Sequence, residues 1–208
     1  MGTDIHMVGE RRWNYNTPGK WKMFPIPQQF RHRYYAFFAH LADVRNGFGF
    51  AGIKTHEALE PLTSHRGLPD DIGDQAKAWF DYDWGGSELY EMIGYPGEHS
   101  TGYATLEELM AHNWEQGGPC EGVISKGQYF RWDGKGPPKG ACGAISGHNI
   151  EVLDLGHTRP GFIVEAVTHV KVSWFQRYLD SDFALKFIEF LENEADGDEC
   201  RILFNFDS

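Results

Sequence analysis

The chain has 208 residues, of which 41% are hydrophobic and 15% aromatic, and it carries a formal net charge of -11. A chain of this length buries about 70% of its unfolded surface, so its core needs neither a metal nor a disulfide, and one domain is the default expectation. The acidic balance argues against general nucleic-acid binding, which requires basic side chains to neutralise phosphates, whereas a small nucleotide needs one or two of them.

The number and spacing of the cysteines favour a reduced compartment, and the N-terminal sequence does not resemble a secretion signal. Cys120, Cys142 and Cys200 are odd in number and show no C-x-x-C spacing, so neither a disulfide framework nor a zinc ribbon is expected. The chain does not open on a basic segment followed by an apolar run, and no stretch approaches the about 20 apolar residues of a membrane span. We therefore expect a cytoplasmic protein that contacts no membrane.

Alternating apolar and polar side chains predict a strand over residues 3–10, with Asp4 and His6 on its polar face. A return strand after Pro18-Gly19 would complete a hairpin over residues 3–24. Apolar residues at helical spacing predict four helices. These begin near Arg31, at Pro69, at the capping box of Thr105 and Glu108, and near Asp182.

The second half of the chain combines irregular and regular sequence. Residues 115–149 are rich in glycine and proline, which predicts an irregular excursion with short strands. The clearest strand is the "AVTHVKVSW" segment, with Val170, Val172 and Trp174 on one face, and the chain ends on the strand "CRILFNF". This order predicts a single α+β domain, residues 1–208, with a mainly antiparallel sheet and helices packed on it.

Asp4 and His6 form the first candidate site. Their α-carbons would lie about 6.6 to 7 Å apart on one strand face, close enough for both side chains to reach one cation or ligand. Imidazole and carboxylate are common metal ligands, so a divalent metal held by Asp4, His6 and His99 is one interpretation. Further ligands would come from His169, Glu10 or Asp207. The alternative is a solvated strand face.

Arg66 and Gly67 form the second candidate. They precede the predicted helix at Pro69, where a guanidinium and backbone N–H groups could together hold a phosphate or carboxylate. In the alternative interpretation Arg66 pairs with Asp70 or Asp71, and the glycine only turns the chain.

A third candidate is the loop around His99 and Ser100, which places hydrogen-bonding groups ahead of a capped helix, although Ser100 could simply help to cap it. Four aromatic residues near glycine-rich loops could stack on a base, unless they belong to the core: Trp21, Trp84, Tyr103 and Trp132. No G-x-S-x-G elbow, P-loop or dinucleotide fingerprint is present, which disfavours a covalent hydrolase, a kinase and a Rossmann enzyme.

Taken together, these motifs resemble a family of uncharacterised phage and bacterial proteins that begin "MGCDIH". The shared segments here are Met1 to His6, Leu41 to Gly47, Arg66 to Asp70, Trp84, His99-Ser100, Thr105 to Leu109, Gly122 to Trp132, Gly143 to Gly147, Val170 to Trp174 and Phe204 to Asp207. Thr3 stands where the family usually has cysteine, and "FNFD" replaces a more aromatic ending. The resemblance implies one domain, a phage or prophage origin, and a polar set of Asp4, His6, Arg66 and His99.

Three functions follow as hypotheses. The first is a small-ligand-binding protein that sequesters a nucleotide-type second messenger of host antiviral signalling, with Arg66 holding phosphate. Pockets of this kind often form between copies of a homo-oligomer, and no cofactor is expected. The second is a metal-dependent hydrolase of a nucleotide or phosphoester. The third is a structural or host-protein-binding module.

Overall fold

The structure is a computed structural model that describes residues 2–13, 19–55, 57–64, 66–81, 94, 96–155 and 166–207. The strands in this part of the chain are β1 (Asp4–Arg12), β2 (Lys22–Pro25), β3 (Lys54–Thr55), β4 (His99–Thr105), β5 (Gly117–Ser125), β6 (Val152–Asp154), β7 (His169–Arg177) and β8 (Glu199–Asp207). The helices are α1 (Tyr35–Ala42), α2 (Asp74–Phe80), α3 (Leu106–Ala111), α4 (Lys126–Tyr129) and α5 (Ser181–Ala195). None of these helices is long and apolar enough to cross a membrane.

The strands form two four-stranded sheets, β2-β1-β8-β4 and β3-β5-β7-β6, in which every pair except β6 with β7 is antiparallel. The predicted α+β class with a mainly antiparallel arrangement is therefore confirmed. The chain divides into two compact units: unit 1 comprises Met1–Val44, Glu60–Trp114 and Asp180–Ser208, and unit 2 comprises Arg45–Leu59 and Glu115–Leu179. Each unit contains one sheet. The expectation of a single domain stays a prediction.

In unit 1, β1 and β8 pair over nine residues each, from Asp4 opposite Asp207 to Arg12 opposite Glu199. One face of this sheet packs against helices, because Phe24 contacts Phe190 of α5 at 6.3 Å between ring centroids. The opposite face is covered by α2, whose Ala76 and Trp79 form a buried cluster with Val8 and Leu203. Because apolar side chains cover both faces of the sheet, β8 is buried continuously from Cys200 to Phe206 and does not alternate between buried and exposed residues.

Two predicted helix boundaries were wrong. α1 begins at Tyr35 rather than near Arg31, and it ends at Ala42, before Asp43, which adopts a left-handed conformation at φ 63°. α2 begins at Asp74 and not at Pro69, since its N-cap is Gly73, whose N–H is bound by a carboxylate oxygen of Glu10 at 2.8 Å. The glycine pair at 85–86 predicts that this helix ends near Trp84, a position outside the described residues.

The prediction for residues 115–149 was wrong in its first part. β5 is a nine-residue strand that pairs with β7 from Gly117 opposite Arg177 to Ser125 opposite His169. Gly122 is used here because a β-carbon at that position would lie 3.0 Å from the Trp174 ring. Sequence composition predicted only short strands in this region, whereas β5 is a long strand that contains glycines.

Several other predicted elements were correct. β1 pairs with β2 as a hairpin, β7 buries Val170, Val172 and Trp174, and α3 begins with the predicted capping box of Thr105 and Glu108. α5 begins after Asp180, whose carboxylate accepts the N–H of residue 182 at 3.0 Å. The strands among these elements have an uninterrupted alternating pattern, and the helices have local capping signals.

Candidate functional site

Asp4 and His6 lie together on one face at the end of β1, as predicted, and each has a protein partner. The Asp4 carboxylate accepts two hydrogen bonds from the Arg33 guanidinium, at 2.8 and 2.5 Å, and these bonds are the main reason that the pKa of Asp4 is lowered. Nε2 of His6 lies 3.1 Å from a carboxylate oxygen of Asp207. The pair therefore belongs to a partly exposed ionic cluster at the open end of the unit 1 sheet.

His99 does not join this cluster. On β4 it pairs with Phe206, which in turn pairs with Ile5 on β1, and residues paired across antiparallel strands point to the same face. Its ring stacks on Phe206 with centroids 6.1 Å apart, on the face opposite Asp4 and His6. Nδ1 of His99 lies 2.9 Å from the Ser100 hydroxyl, so Ser100 contacts the ring rather than capping α3.

The predicted metal ligands Asp4, His6 and His99 therefore do not converge on one point. Within the part of the chain that the structure describes, no group of three or more His, Cys, Asp or Glu side chains is arranged to hold a metal ion. Of the further ligands proposed, Asp207 contacts His6, Glu10 is bound by an arginine, and His169 lies in unit 2.

Arg66 is engaged by the protein itself. Its guanidinium donates two hydrogen bonds to the Glu108 carboxylate, both at 2.8 Å, and lies 4.8 Å above the centre of the Tyr103 ring. The N–H of Gly67 donates to the carbonyl of Thr101 at 3.1 Å. The two elements of the predicted anion site are thus separated, because Arg66 binds α3 and the N-terminus of α2 is bound by Glu10.

The aromatic candidates are divided between the units. Tyr103 pairs with Leu203 in the unit 1 sheet, and Trp132 packs against the buried cluster of unit 2. Trp84 lies outside the described residues. Leu203 is four positions from Asp207 on β8, about 14 Å along the strand, so Tyr103 and the Asp4 cluster occupy separate places on one face.

A cavity with a volume of about 950 Å³ lies in unit 1. We call it the Arg201 cavity. Its walls are formed by residues Arg12, Trp21, Pro69, Asp70, Asp71, Tyr103, Thr105, Leu106, Glu107, Met110, Ala111, Asp198, Glu199, Cys200 and Arg201. This volume is in the range of cavities that enclose small organic ligands.

A buried ion pair supports one wall of this cavity. Nε of Arg201 donates to the Glu10 carboxylate at 2.8 Å, and the two side chains are 4% and 0% exposed. The same guanidinium donates to the Asp71 carboxylate at 2.6 Å and to the Asp71 carbonyl at 3.1 Å. Arg201 therefore ties β1 to the loop before α2, and its charge is held in one fixed orientation.

Trp21 completes this wall. Its indole N–H donates to the Asp71 carboxylate at 2.9 Å, and the guanidinium carbon of Arg201 lies 3.7 Å from the ring centroid. A second guanidinium, that of Arg12, lies 4.5 Å from the same ring and donates to the Glu199 carboxylate at 2.8 and 2.6 Å. Cation–π contacts of this kind fix the plane of the indole ring.

The environment changes the pKa of three groups here. Burial raises the pKa of Glu10, although its bonds with Arg201 oppose this effect, and hydrogen bonds from Arg201 and Trp21 lower the pKa of Asp71 to about 2. Burial raises the pKa of the Cys200 thiol to about 12, so this group is protonated at neutral pH and is a poor nucleophile.

The lining has an apolar wall, contributed by α3, and an acidic rim. Leu106, Met110 and Ala111 of α3 line the cavity, and Met110 is 56% exposed. Five carboxylates and two guanidiniums line it, and both guanidiniums are paired with carboxylates. Among the described residues no cation pairs with three of these carboxylates, those of Asp70, Glu107 and Asp198. The cavity is therefore amphipathic with an excess of negative charge.

Sequence reasoning had not identified this cavity, but one signal was present. Arg201 is a charged residue inside the otherwise apolar final strand, and a charge in a buried strand requires a partner. Glu10 lies directly opposite it on β1. What the sequence could not provide is the position of Asp71 and Trp21, which come from distant loops.

Comparisons with protein-family models, with curated proteins and with solved structures found no match for this chain. The resemblance to the proteins that begin "MGCDIH" thus stays a prediction. The fold and the cavity define the protein as a mainly antiparallel α+β protein with a ligand-sized amphipathic cavity.

Proposed function

We propose that this protein binds a small nucleotide-type ligand in the Arg201 cavity and sequesters it without cleaving it. The observation that carries the proposal is the chemistry of this cavity, in which an aromatic ring, fixed charges and the apolar side chains of α3 line a volume of about 950 Å³. A nucleoside has matching parts, namely a planar base with apolar faces and a ribose whose hydroxyls donate hydrogen bonds.

The apolar wall supports recognition of the base. Leu106 and Met110 of α3 present aliphatic surface to the cavity, with the Trp21 and Tyr103 rings among the other lining residues. Bases stack on aromatic side chains in a way that is tolerant of sequence, with about 1–3 kcal/mol per contact. A base that packs between these surfaces would have water removed from both of its apolar faces.

The acidic rim supports recognition of hydroxyl or amino groups rather than of several phosphates. Carboxylates accept hydrogen bonds and carry no donor when ionised, so Asp70, Glu107 and Asp198 suit ribose hydroxyls or an exocyclic amine. A triphosphate would bring further negative charge toward these groups. This differs from the expectation of an anionic ligand held by Arg66, and it makes a nucleoside or monophosphate the better fit.

The cavity favours holding over cleavage. Its single lining thiol, Cys200, is kept protonated by burial, and its guanidiniums are fixed in ion pairs. The proposed biological role is capture of a nucleotide-type messenger of host antiviral signalling by a phage protein in the bacterial cytoplasm. This role rests on the resemblance to the phage and bacterial proteins that begin "MGCDIH".

The test is calorimetric titration of the purified protein with adenosine, guanosine, cytidine and uridine, each as nucleoside, monophosphate and triphosphate. We expect saturable binding of at least one base, with the triphosphate weaker than its nucleoside or monophosphate. The protein is then denatured and the ligand is analysed by chromatography. Intact ligand supports sequestration, a cleaved product overturns it, and the absence of binding across the panel overturns the ligand class.

A second candidate function, protein binding, is favoured by the outer face of the unit 2 sheet. Phe175 is 68% exposed on β7, directly opposite the exposed Pro119 of β5, and Val152 of β6 shares this face and is 44% exposed. We propose that this face supports the expected homo-oligomer. Sedimentation of wild type and of Phe175→Ser over a concentration series tests it. Loss of a dimer in the variant supports the contact, and a monomeric wild type removes it.

A further inference from the structure

Neither of the two paired histidines of unit 1 lines the Arg201 cavity, although His112 directly follows the lining residue Ala111. His40 lies in α1 and is 0% exposed, and His112 follows the end of α3 and is half-buried. Nδ1 of His40 lies 3.1 Å from Nε2 of His112. Two neutral imidazoles can form this contact when one nitrogen donates a proton and the other accepts it.

The second nitrogen of His40 makes no hydrogen bond to the residues that the structure describes. Nε2 of His40 is buried and has no hydrogen-bond partner among the described residues. In either tautomer a buried polar nitrogen is left unsatisfied, which costs on the order of 1–3 kcal/mol. Natural proteins rarely retain such a group without a function, so this site merits an explanation beyond packing.

The surroundings of the pair are aromatic. The Trp114 ring centroid lies 5.4 Å from that of His40 and 4.6 Å from that of His112, and Trp114 itself stacks on Phe37 at 6.0 Å. From the segment before α2, Glu60 acts on His112 and raises its pKa, against the larger effect of burial. In the described part of the chain no charged group from α1, α3 or α5 is directed at His40.

Two chain segments adjoin the pair, residues 60–63 and residues 112–114. The N–H of Leu62 donates to the carbonyl of His40 at 2.7 Å, and the N–H and hydroxyl of Thr63 donate to the carbonyl of Leu41 at 3.0 and 2.9 Å. On the other side, the indole N–H of Trp114 donates to the carbonyl of Leu109 at 2.8 Å, which fixes residues 112–114. A charge placed between these segments would act on both.

We propose that the His40–His112 contact is an acid-sensitive latch that releases residues 60–63 and 112–114 from α1 when it is protonated. The first proton enters at His112, which is more exposed and lies near Glu60. The second must enter at His40, where it creates a buried cation without a counter-charge and places two N–H groups against each other. The contact then opens, since both imidazolium rings are donors and neither nitrogen can accept.

The direction of the pH dependence follows from the geometry. Burial, with a smaller contribution from His112, lowers the pKa of His40 from 6.5 to about 4. The closed contact therefore favours neutral imidazoles, and its stability is fully present above pH 6.5 and is lost as the pH falls toward 4. With up to two protons linked to opening, one at each histidine, the opening equilibrium increases by at most about a hundredfold for each unit of pH in this window.

The latch is tested by hydrogen exchange and mass spectrometry at pH 7 and pH 5, corrected for intrinsic exchange rates. In wild type we expect peptides that cover residues 60–63 and 112–114 to lose protection at pH 5, while β1 and β8 keep theirs. His112→Gln retains a hydrogen-bonding group but cannot be charged, so its pH dependence should be clearly smaller. The exposed His32 supplies the control, and His32→Gln should behave like wild type.

Two results would overturn the latch. One is unchanged protection of both segments in wild type at pH 5, and the other is the same pH dependence in His112→Gln as in wild type. If His112→Gln does not fold, an NMR titration of the wild-type imidazole signals decides the matter. A His40 signal that titrates well below pH 6.5 supports the latch, and a midpoint near 6.5 contradicts it.

Discussion

The guanidinium of Arg201 lies 3.7 Å from the centre of the Trp21 ring, and both groups bind the same carboxylate, that of Asp71. The two residues come from opposite ends of the chain, and the contact orients an aromatic ring at the wall of a ligand-sized cavity. A buried ion pair is seldom the most stable solution for a core, so its presence beside a cavity supports a role in recognition.

Removing Arg201 should destabilise unit 1 strongly. In Arg201→Met the Glu10 carboxylate stays buried without its counter-charge, and we expect the free energy of unfolding to fall by about 3–5 kcal/mol in urea denaturation. Adding Glu10→Gln should recover part of this loss, because no charge then remains buried. Lys20→Met, at an exposed pair with Asp74, is the control, and equal effects of the two single variants would contradict this account.

Asp71 should contribute to stability in acid. Its pKa is lowered from 3.8 to about 2, so its stabilising contribution is present above pH 3.8 and is lost as the pH falls through 2. Burial raises the pKa of Glu10, so this group does not add to the loss of stability in acid. We expect the urea midpoint of wild type to fall more steeply between pH 4 and pH 2 than that of Asp71→Asn. Parallel curves would show that Asp71 is not held by these bonds.

The three cysteines should differ in reactivity. Cys142 is half-buried, whereas Cys120 and Cys200 are buried and burial raises the pKa of both thiols, that of Cys200 to about 12. Iodoacetamide at pH 8 should therefore label Cys142 first in the native protein, as read by peptide mass spectrometry. Denatured protein, in which all three should react alike, is the control. Early labelling of Cys200 would mean that the cavity wall opens readily.

Asn205 should stabilise the end of β8, next to the cluster formed by Asp4, His6, Arg33 and Asp207. Its side chain is buried, and it accepts the N–H of Gly97 and donates to the carbonyl of Gly97, both at 2.7 Å. Asn205→Ala leaves two buried backbone groups unsatisfied, and we expect a loss of about 2–4 kcal/mol in the free energy of unfolding. A loss below about 1 kcal/mol would indicate that water replaces the amide.

The sequence predicted those parts of the fold whose signals are local. The capping box of Thr105 and Glu108 and the alternation of β7 were both readable, and both are present. The length of β5 was not predicted because its glycines pack against the Trp174 and Tyr178 side chains, which are distant in sequence. The start of α2 was missed because the Glu10 carboxylate, more than 60 residues away, caps it.

The candidate site was less predictable for a related reason. Asp4 and His6 were correctly placed on one face, but their partners Arg33 and Asp207 are set by tertiary structure. His99 lies on the opposite face of the sheet from Asp4 and His6. Its position depends on the register of β4 with β8, which shifts between His99 and Gly102. This register cannot be predicted from the local sequence pattern.

The most direct test of the central claim is to fill the Arg201 cavity and measure binding. Met110 is 56% exposed on its apolar wall, and Met110→Trp adds bulk there without touching the ion pairs. Leu185 of α5, 64% exposed and outside the cavity, gives the matched control Leu185→Trp. Calorimetric titration with the tightest nucleoside or monophosphate of the panel should show binding to wild type and Leu185→Trp, and at least tenfold weaker binding to Met110→Trp. Equal binding to all three proteins would place the ligand elsewhere and contradict the account.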